Sequence, residues 1–442
     1  MTEYNVLKYG AIGDGKTNNA KAIQEAIDDC NKQGGGRILL PSGNVFCTGV
    51  IELKTNCELY IETGCTLLGS SDIEDYGTKQ NRNLSLIKSK DADNVSITGG
   101  GKIDGNSSFF IEEKKPYIYK AKKQRPYVVR LTGGEKITIS NLSIVNGPVW
   151  TVTLEGCTDV SIYSLTIKND MRMPNSDGID LDRCRNVRIS NCHIEAGDDC
   201  IVLKTHKRTA GYGSCENVTI TGCTMISRSF AINIGCEVKA PIRNVVVSDC
   251  VIYSSHRGVG VHLSEESDVE NVLFSNLIIE TQYYHPDWWG AAEPIYISVI
   301  PWTDKDTVGV VRNIRFTNIL CKSENGIFVY SSDKKNVNDI VFDKVSILLD
   351  KWTSESGGRH DIRPCPGEMN GLSTGVYQYP SSGFYINKAT NVTIRNCDVK
   401  WGENVPDYFK HAIESHNVDG LLLENFKGKA ARPDSDDDQL ID

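Results

Sequence analysis

The chain has 442 residues and a formal net charge of −9, and no basic block is long enough to suggest a nucleic-acid surface. No apolar run is long enough to cross a membrane, and the opening MTEYNVLKYG lacks the basic start and apolar stretch of a signal peptide, so a cytoplasmic protein is expected. The 15 cysteines are odd in number and contain no CxxC pair, and nothing in their spacing calls for a metal or a cofactor.

The first recognisable element follows GAIGDGKT. In NNAKAIQEAIDDC, the residues Ala20, Ile23, Ala26 and Ile27 recur at helical spacing. Asp14, Thr17 and the neighbouring asparagines can cap its start, and the glycines at 34–36 end it. The GDGK within this region does not satisfy GxxxxGK[ST], so a phosphate loop is set aside.

A short phrase then recurs down the chain: Asn or Asp, alternating apolar and polar residues, then a small apolar residue or Cys. Copies start at Asn94, Lys136, Asp159, Asn186, Asn217, Asn244, Asn271, Asn313, Asp339 and Asn391, with a weaker one at Asp419. The five starts from Asp159 to Asn271 are 27, 31, 27 and 27 residues apart, the self-similarity of a solenoid. Within each copy the period is two and β-branched residues are prominent, so the phrase is a strand. Strands repeated in one direction with no helix between them must coil into an all-β parallel β-helix, right-handed by the crossover rule. One domain over 1–442 is expected, with an N-terminal cap over about 1–45 whose helix covers the open end of the core. The acidic stretch near 433–442 is expected to be a disordered tail.

Six residues past each start stand Leu142, Leu165, Cys192, Cys223, Cys250, Leu277, Ile319, Val345 and Cys397. Cysteine alternating with aliphatic residues marks a stacked interior column. Three gaps between copies are long: 94 to 136, 271 to 313 and 339 to 391. Segments of that length in a solenoid are usually functional walls. The middle one is rich in Tyr and Trp, which suits either stacking on sugar rings or packing onto the solenoid body. The last holds Arg359, His360 and Arg363 as possible polar contacts.

The densest polar signal is NSDGIDLDRC at 175–184 followed by AGDDCIVLKT at 196–205. Asp177 precedes Asp198 by 21 residues and Asp199 by 22, about one shortened coil, so the two segments should be neighbours roughly 4.8 Å apart. Carboxylates so placed should keep one proton at neutral pH, and an acid beside a carboxylate is what general acid–base glycoside cleavage requires. Capping of turns by these aspartates, or a divalent-cation site, are the alternatives.

These segments, with NVLKYGAIGDGKTNNAKAIQEAID and the coils as far as NVTIRNCDV, resemble glycoside hydrolase family 28, the polygalacturonase-like enzymes of the pectin-lyase-like superfamily. That family carries N-T-D and G-D-D motifs, matched here by NSD with Asp177 and GDD with Asp198 and Asp199. The resemblance implies inverting hydrolysis, with Asp198 protonating the leaving oxygen while Asp177 and Asp199 activate water. Strand spacing alone would instead suggest the roughly 5 Å separation of retaining enzymes. Two motifs depart from the family. Phe230 stands where the G-H-G histidine belongs, and Gly260-Val261-His262 replaces the R-I-K that contacts a galacturonate carboxylate. Loss of that Arg removes the side chain best suited to bidentate carboxylate recognition.

The expected function is therefore hydrolysis of O-glycosidic bonds in an oligo- or polysaccharide, with altered sugar recognition. Catalysis is expected of Asp177, Asp198 and Asp199, and substrate contact of Asn175, Lys204, Phe230, Arg257 and His262. A carbohydrate is the expected partner, with no nucleic acid, membrane, metal or cofactor; the sequence specifies no oligomeric state. A polysaccharide lyase and a non-catalytic carbohydrate-binding solenoid are the competing readings.

Overall fold

The computed structural model describes residues 2–77, 84–364 and 375–442. The protein is a parallel β-helix with an N-terminal capping helix. It divides into two compact units, Met1–Ile201 with Gly211–Gly213, and Val202–Ala210 with Ser214–Asp442.

In both units the recurring phrase begins at a corner. Each start from Asn94 to Asn391 has a left-handed backbone, with φ between 51° and 60°. Asn and Asp enter that region at least cost among residues with a side chain, which explains only in part why nine of the ten are one or other of them. The rest of the explanation is a ladder of side-chain bonds. In the first unit Asn186 Nδ2 donates to Asp159 Oδ1 at 3.1 Å. In the second, Asn244 bonds Asn217 at 3.0 Å, Asn271 bonds Asn244 at 3.2 Å and Asn313 bonds Asn271 at 2.6 Å. From each corner the chain runs into strands paired in parallel, for example Val160 with Val187 and Val218 with Val245.

The expected interior column is present. All nine residues from Leu142 to Cys397 are buried. The Cys192, Cys223, Cys250 and Cys397 thiols each donate to the carbonyl two residues back, at 3.2 to 3.4 Å. A thiol here fills the place of an aliphatic side chain while satisfying a backbone acceptor. Every cysteine among the described residues is a free thiol. In the second unit Phe274, Phe316 and Phe342 stack inside the coil with ring centroids 5.0 Å apart.

The N-terminal helix spans Ala20–Lys32 and buries Ile23, Ala26, Ile27 and Cys30 against the first coils. Full burial of an Ile side chain contributes about 1.5–3 kcal/mol, so this face alone anchors the cap. Of the expected capping residues, a neighbouring asparagine meets the helix and Asp14 acts one turn earlier. Asn18 Oδ1 accepts from Ala20 N at 3.0 Å, whereas Asp14 accepts from Lys16 and Thr17 in the preceding turn.

The acidic terminus corrects the expected disordered tail. Gln439–Ile441 forms a strand parallel to Ile413–Ser415. Asp438 accepts from Ala430 N at 2.7 Å, and Asp436 pairs with Lys410 at 3.0 Å, so the acids there bind the last coils.

Candidate active site

In the first unit the strands Tyr127–Thr132, Val152–Glu155 and Ile179–Asp182 lie side by side in register. Val152, Leu154, Ile179 and Leu181 point into the core. Thr153, Glu155, Asp180 and Asp182 share the opposite face by strand alternation. The Arg130 guanidinium grips Glu155 there by two bonds, at 3.0 and 2.9 Å.

The NSDG segment enters this sheet directly over the GDD segment. Gly178 N donates to Asp199 O at 2.9 Å, and Ile179 N donates to Cys200 O at 2.9 Å. Gly197 N donates to Ser176 Oγ at 3.2 Å, and Ser176 Oγ donates to Met173 O at 2.8 Å. Both glycines are there for close approach. A Cβ on Gly178 would lie 2.4 Å from Cys200 O, and one on Gly197 would lie 2.4 Å from Met173 O. The one-coil offset read from the sequence is thus realised in hydrogen bonds, with Asp177 and Asp199 buried and Asp198 half-buried.

Two further residues hold this loop. Asn169, buried, donates to Thr151 Oγ1 at 2.8 Å and to Ser176 O at 2.9 Å, and accepts from Gly147 N at 2.7 Å. Arg125 comes from the long segment between the copies at 94 and 136. Its Nη1 donates to Pro148 O at 2.9 Å and Pro174 O at 2.6 Å, and its Nη2 donates to Asn175 Oδ1 at 3.2 Å. Burial pulls the Arg125 pKa down, while the charges of Asp177 and Asp198 push it back up. Both carboxylates therefore sit within the field of one guanidinium. Asn175 is exposed and in the left-handed region, with its carbonyl oxygen on Arg125. The same segment brings Tyr119, whose hydroxyl donates to Asp170 at 3.2 Å and whose ring lies under Arg172 at 4.6 Å. Sequence reasoning missed Arg125 and Asn169, because neither falls on a repeat; the only available signal was the length of the 94–136 gap.

The second unit corrects three expected sugar contacts. Arg257 has no exposed surface. It makes two bonds to Glu293, at 2.9 and 3.2 Å, donates to Asp361 O at 2.9 Å, and lies 3.7 Å from the Tyr296 ring centre. Burial opposes its charge, but Glu293, Tyr296 and Asp361 more than restore it and raise the pKa. Arg257 is an internal clamp. Phe230 is buried against Tyr296, edge to face with centroids 5.6 Å apart, within a cluster that includes Phe328 and Tyr385. His262 is also buried, and burial together with Arg257 lowers its pKa to about 3. A neutral imidazole cannot replace the lysine of the family triplet as a cation. Gly260 cannot take a side chain at all without movement. A Cβ would meet Tyr296 O at 2.2 Å and Phe230 Cε1 at 2.9 Å. Lys204 is nearly buried, 3.7 Å from Glu237 Oε2, and His206 approaches the other Glu237 oxygen at 3.9 Å. Burial raises the Glu237 pKa, but Lys204 and then His206 outweigh it and hold the carboxyl low.

The structure thus groups Asn175 and the three aspartates with Arg125 in one unit, and places Lys204, Phe230, Arg257 and His262 in packed clusters of the other. Compared with known proteins, residues 30–356 match the family described as Glycosyl hydrolases family 28. The chain belongs to this family. Among the relatives of this family 28 chain is a protein named probable polygalacturonase from Vitis vinifera, 33% identical over 261 residues, which are 54% of this chain and 52% of that one. Another is named probable endo-xylogalacturonan hydrolase A, from Aspergillus flavus, 32% identical over 228 residues, 49% of this chain and 53% of that one. The chain spans about half the length of the curated relatives it matches. A hyperthermoactive exopolygalacturonase from Thermotoga maritima has a similar structure, with a TM-score of 0.69 at 25% identity over 79% of this chain and 87% of that one.

Proposed function

We propose that this chain is a glycosidase that hydrolyses O-glycosidic bonds of a pectic oligo- or polysaccharide with inversion. The observation that carries the reading is the rung-to-rung pairing of NSDG with GDD, Gly178 N to Asp199 O and Gly197 N to Ser176 Oγ. Asp198, the more exposed of the three aspartates, is assigned as the acid that protonates the leaving oxygen. Asp177 and Asp199 are assigned to the water, which attacks the anomeric carbon from the opposite face as the glycosidic bond breaks. Arg125 fixes the Asn175–Asp177 loop and favours an ionised Asp177.

The sugar at the cleaved bond is not held by the family's Arg–Lys pair, because Gly260 and a neutral His262 stand there. We therefore expect the enzyme to accept glycosides that lack a carboxylate at that position at least as well as galacturonides. The test is reducing-end release from galacturonides and neutral pectic glycosides side by side, with the native chain and Asp198→Asn. Turnover should fall by a factor of about 10²–10⁴ in the variant. Unchanged turnover in Asp198→Asn would remove the mechanism. Product absorbing as an unsaturated uronide would replace it with elimination.

A further inference from the structure

The second unit contains a cavity of about 440 Å³ that has no part in the chemistry assigned above. Tyr330 and Tyr385 form its buried floor, and the half-buried Tyr377 and Tyr379 form its wall. The floor is rigid. Tyr385 stacks on Phe328 at 5.3 Å and 11°, and Phe328 stacks on Tyr330 at 6.1 Å and 9°. The wall is tied down as well, since Tyr379 OH donates to Glu414 at 2.6 Å and Glu414 also receives Ser382 Oγ at 2.6 Å.

The polar groups at the rim are incompletely used. Asn387 Nδ2 donates to Tyr385 OH at 2.9 Å, but Asn387 Oδ1 is buried and has no hydrogen-bond partner among the described residues. A buried amide oxygen left so costs about 1–3 kcal/mol unless a ligand or water donates to it. Lys388 Nζ reaches only Ser332 O, at 3.3 Å, and faces no carboxylate within ion-pair distance among the described residues. His416 is already engaged, bridging Glu414 at 2.9 Å and Asp442 at 2.7 Å, so it orders the rim.

We propose that this tyrosine-walled cavity is a second carbohydrate-binding site, which takes one pyranose ring of a glycan against the tyrosine faces. Aromatic faces meet the C–H face of the ring, while Asn387 Oδ1 accepts from a ring hydroxyl. Lys388 donates to a hydroxyl or to the carboxylate of a uronic acid. A concave, mostly apolar surface with a few convergent polar groups is the general form of a small-ligand site. The proposal is independent of the hydrolase reading, because none of its residues is assigned to bond cleavage.

The test is calorimetric titration of the full chain carrying Asp198→Asn, so that no ligand is consumed, with a galacturonic acid hexamer in one arm and cellohexaose in the other. At least one should bind, and adding Tyr377→Ala should weaken that binding about tenfold, the loss of one good contact. Lys388→Ala should weaken the acidic arm more than the neutral one if the uronate is the preferred ring. Thermal unfolding checks that each variant is folded, and the rim substitution Lys388→Ala decides the matter if Tyr377→Ala does not fold. Absence of binding in both arms, or binding indifferent to both substitutions, would overturn the proposal. Binding that depends on Tyr377 in a chain whose native form turns over no glycan would leave this site standing while the hydrolase reading fell.

Discussion

Arg125 in the first unit, half-buried, and Arg257 in the second, fully buried, are guanidinium groups held in different ways. Arg257 has a carboxylate fitted to it on two bonds, a second carboxylate at 3.7 Å, and aromatic rings on its face. Arg125 is held by two backbone carbonyls and one amide oxygen, while the carboxylates of Asp177 and Asp198 act on it only through space. In the first arrangement the charge is neutralised by direct pairing and serves packing. In the second the charge is solvated by neutral oxygens, and its field remains available to the neighbouring aspartates. The sequence marks only Arg257, which stands in the HRG segment, yet what surrounds each arginine decides its use.

This contrast can be broken or sharpened by substitution. The largest effect on stability should come from Glu293→Ala, which leaves Arg257 buried without its main partner and should cost about 3–5 kcal/mol. Denaturant unfolding measures it, and a cost near zero would mean that Arg257 is not a clamp. Next is Gly260→Arg, which restores the family residue in name. Because the first carbon would press on Tyr296 O and Phe230, the change should destabilise by about 1–3 kcal/mol without improving galacturonide turnover. A gain in galacturonide kcat/KM at native stability would show that the site opens to take it.

Acid should distinguish the units too. His256, His262 and His360 are buried with pKa values lowered to about 3, in each case by burial first. Their unfolded pKa is about 6.5, so between about pH 6.5 and pH 3 the unfolded chain binds protons that the folded chain refuses. Stability is then lost as pH falls, by about 1.4 kcal/mol per pH unit for each histidine. His360→Phe should lower that slope by one histidine's share in unfolding titrations at several pH values. An unchanged slope would contradict the burial. The smallest expected effect is at Arg125. Arg125→Gln should reduce kcat/KM about tenfold and move the acid limb of the pH–rate profile upward, because Asp177 loses a neighbouring cation. A uniform fall in rate with no shift of the limb would make Arg125 a purely structural brace.

The parts of the molecule that were legible in the sequence are those governed by a period. The coil phrase, the Leu/Cys column and the helix face of Ile23, Ala26 and Ile27 all follow from side chains that must face one core. The NSDG–GDD contact was legible for a related reason, since two turns one coil apart can only stack. Phe230, Arg257 and His262 were misjudged because their place on a strand says which face they share, not what covers that face. The cover comes partly from the segment between copies, which brings Glu293 onto Arg257 and Trp289 to 5.6 Å from the His262 ring, and partly from the next coil, whose Tyr296 lies on Arg257. Arg125 and Asn169 escaped notice for the same cause, as aperiodic residues whose partners are backbone carbonyls and loop hydroxyls.

The asparagine ladder carries a consequence for how such a chain can vary. Asn244 and Asn217 are bonded across 27 residues, Asn313 and Asn271 across 42, and Asn391 and Asn338 across 53. The bonds persist although the lengths between partners differ almost twofold, the last of them reaching Asn338, one residue before the corner at Asp339. Excursions between corners therefore vary in length without breaking the frame. The aromatic segment between Asn271 and Asn313 is such an excursion, and because its Glu293 holds Arg257 by two bonds, exchanging it would cost that clamp while the corner bonds stayed in place.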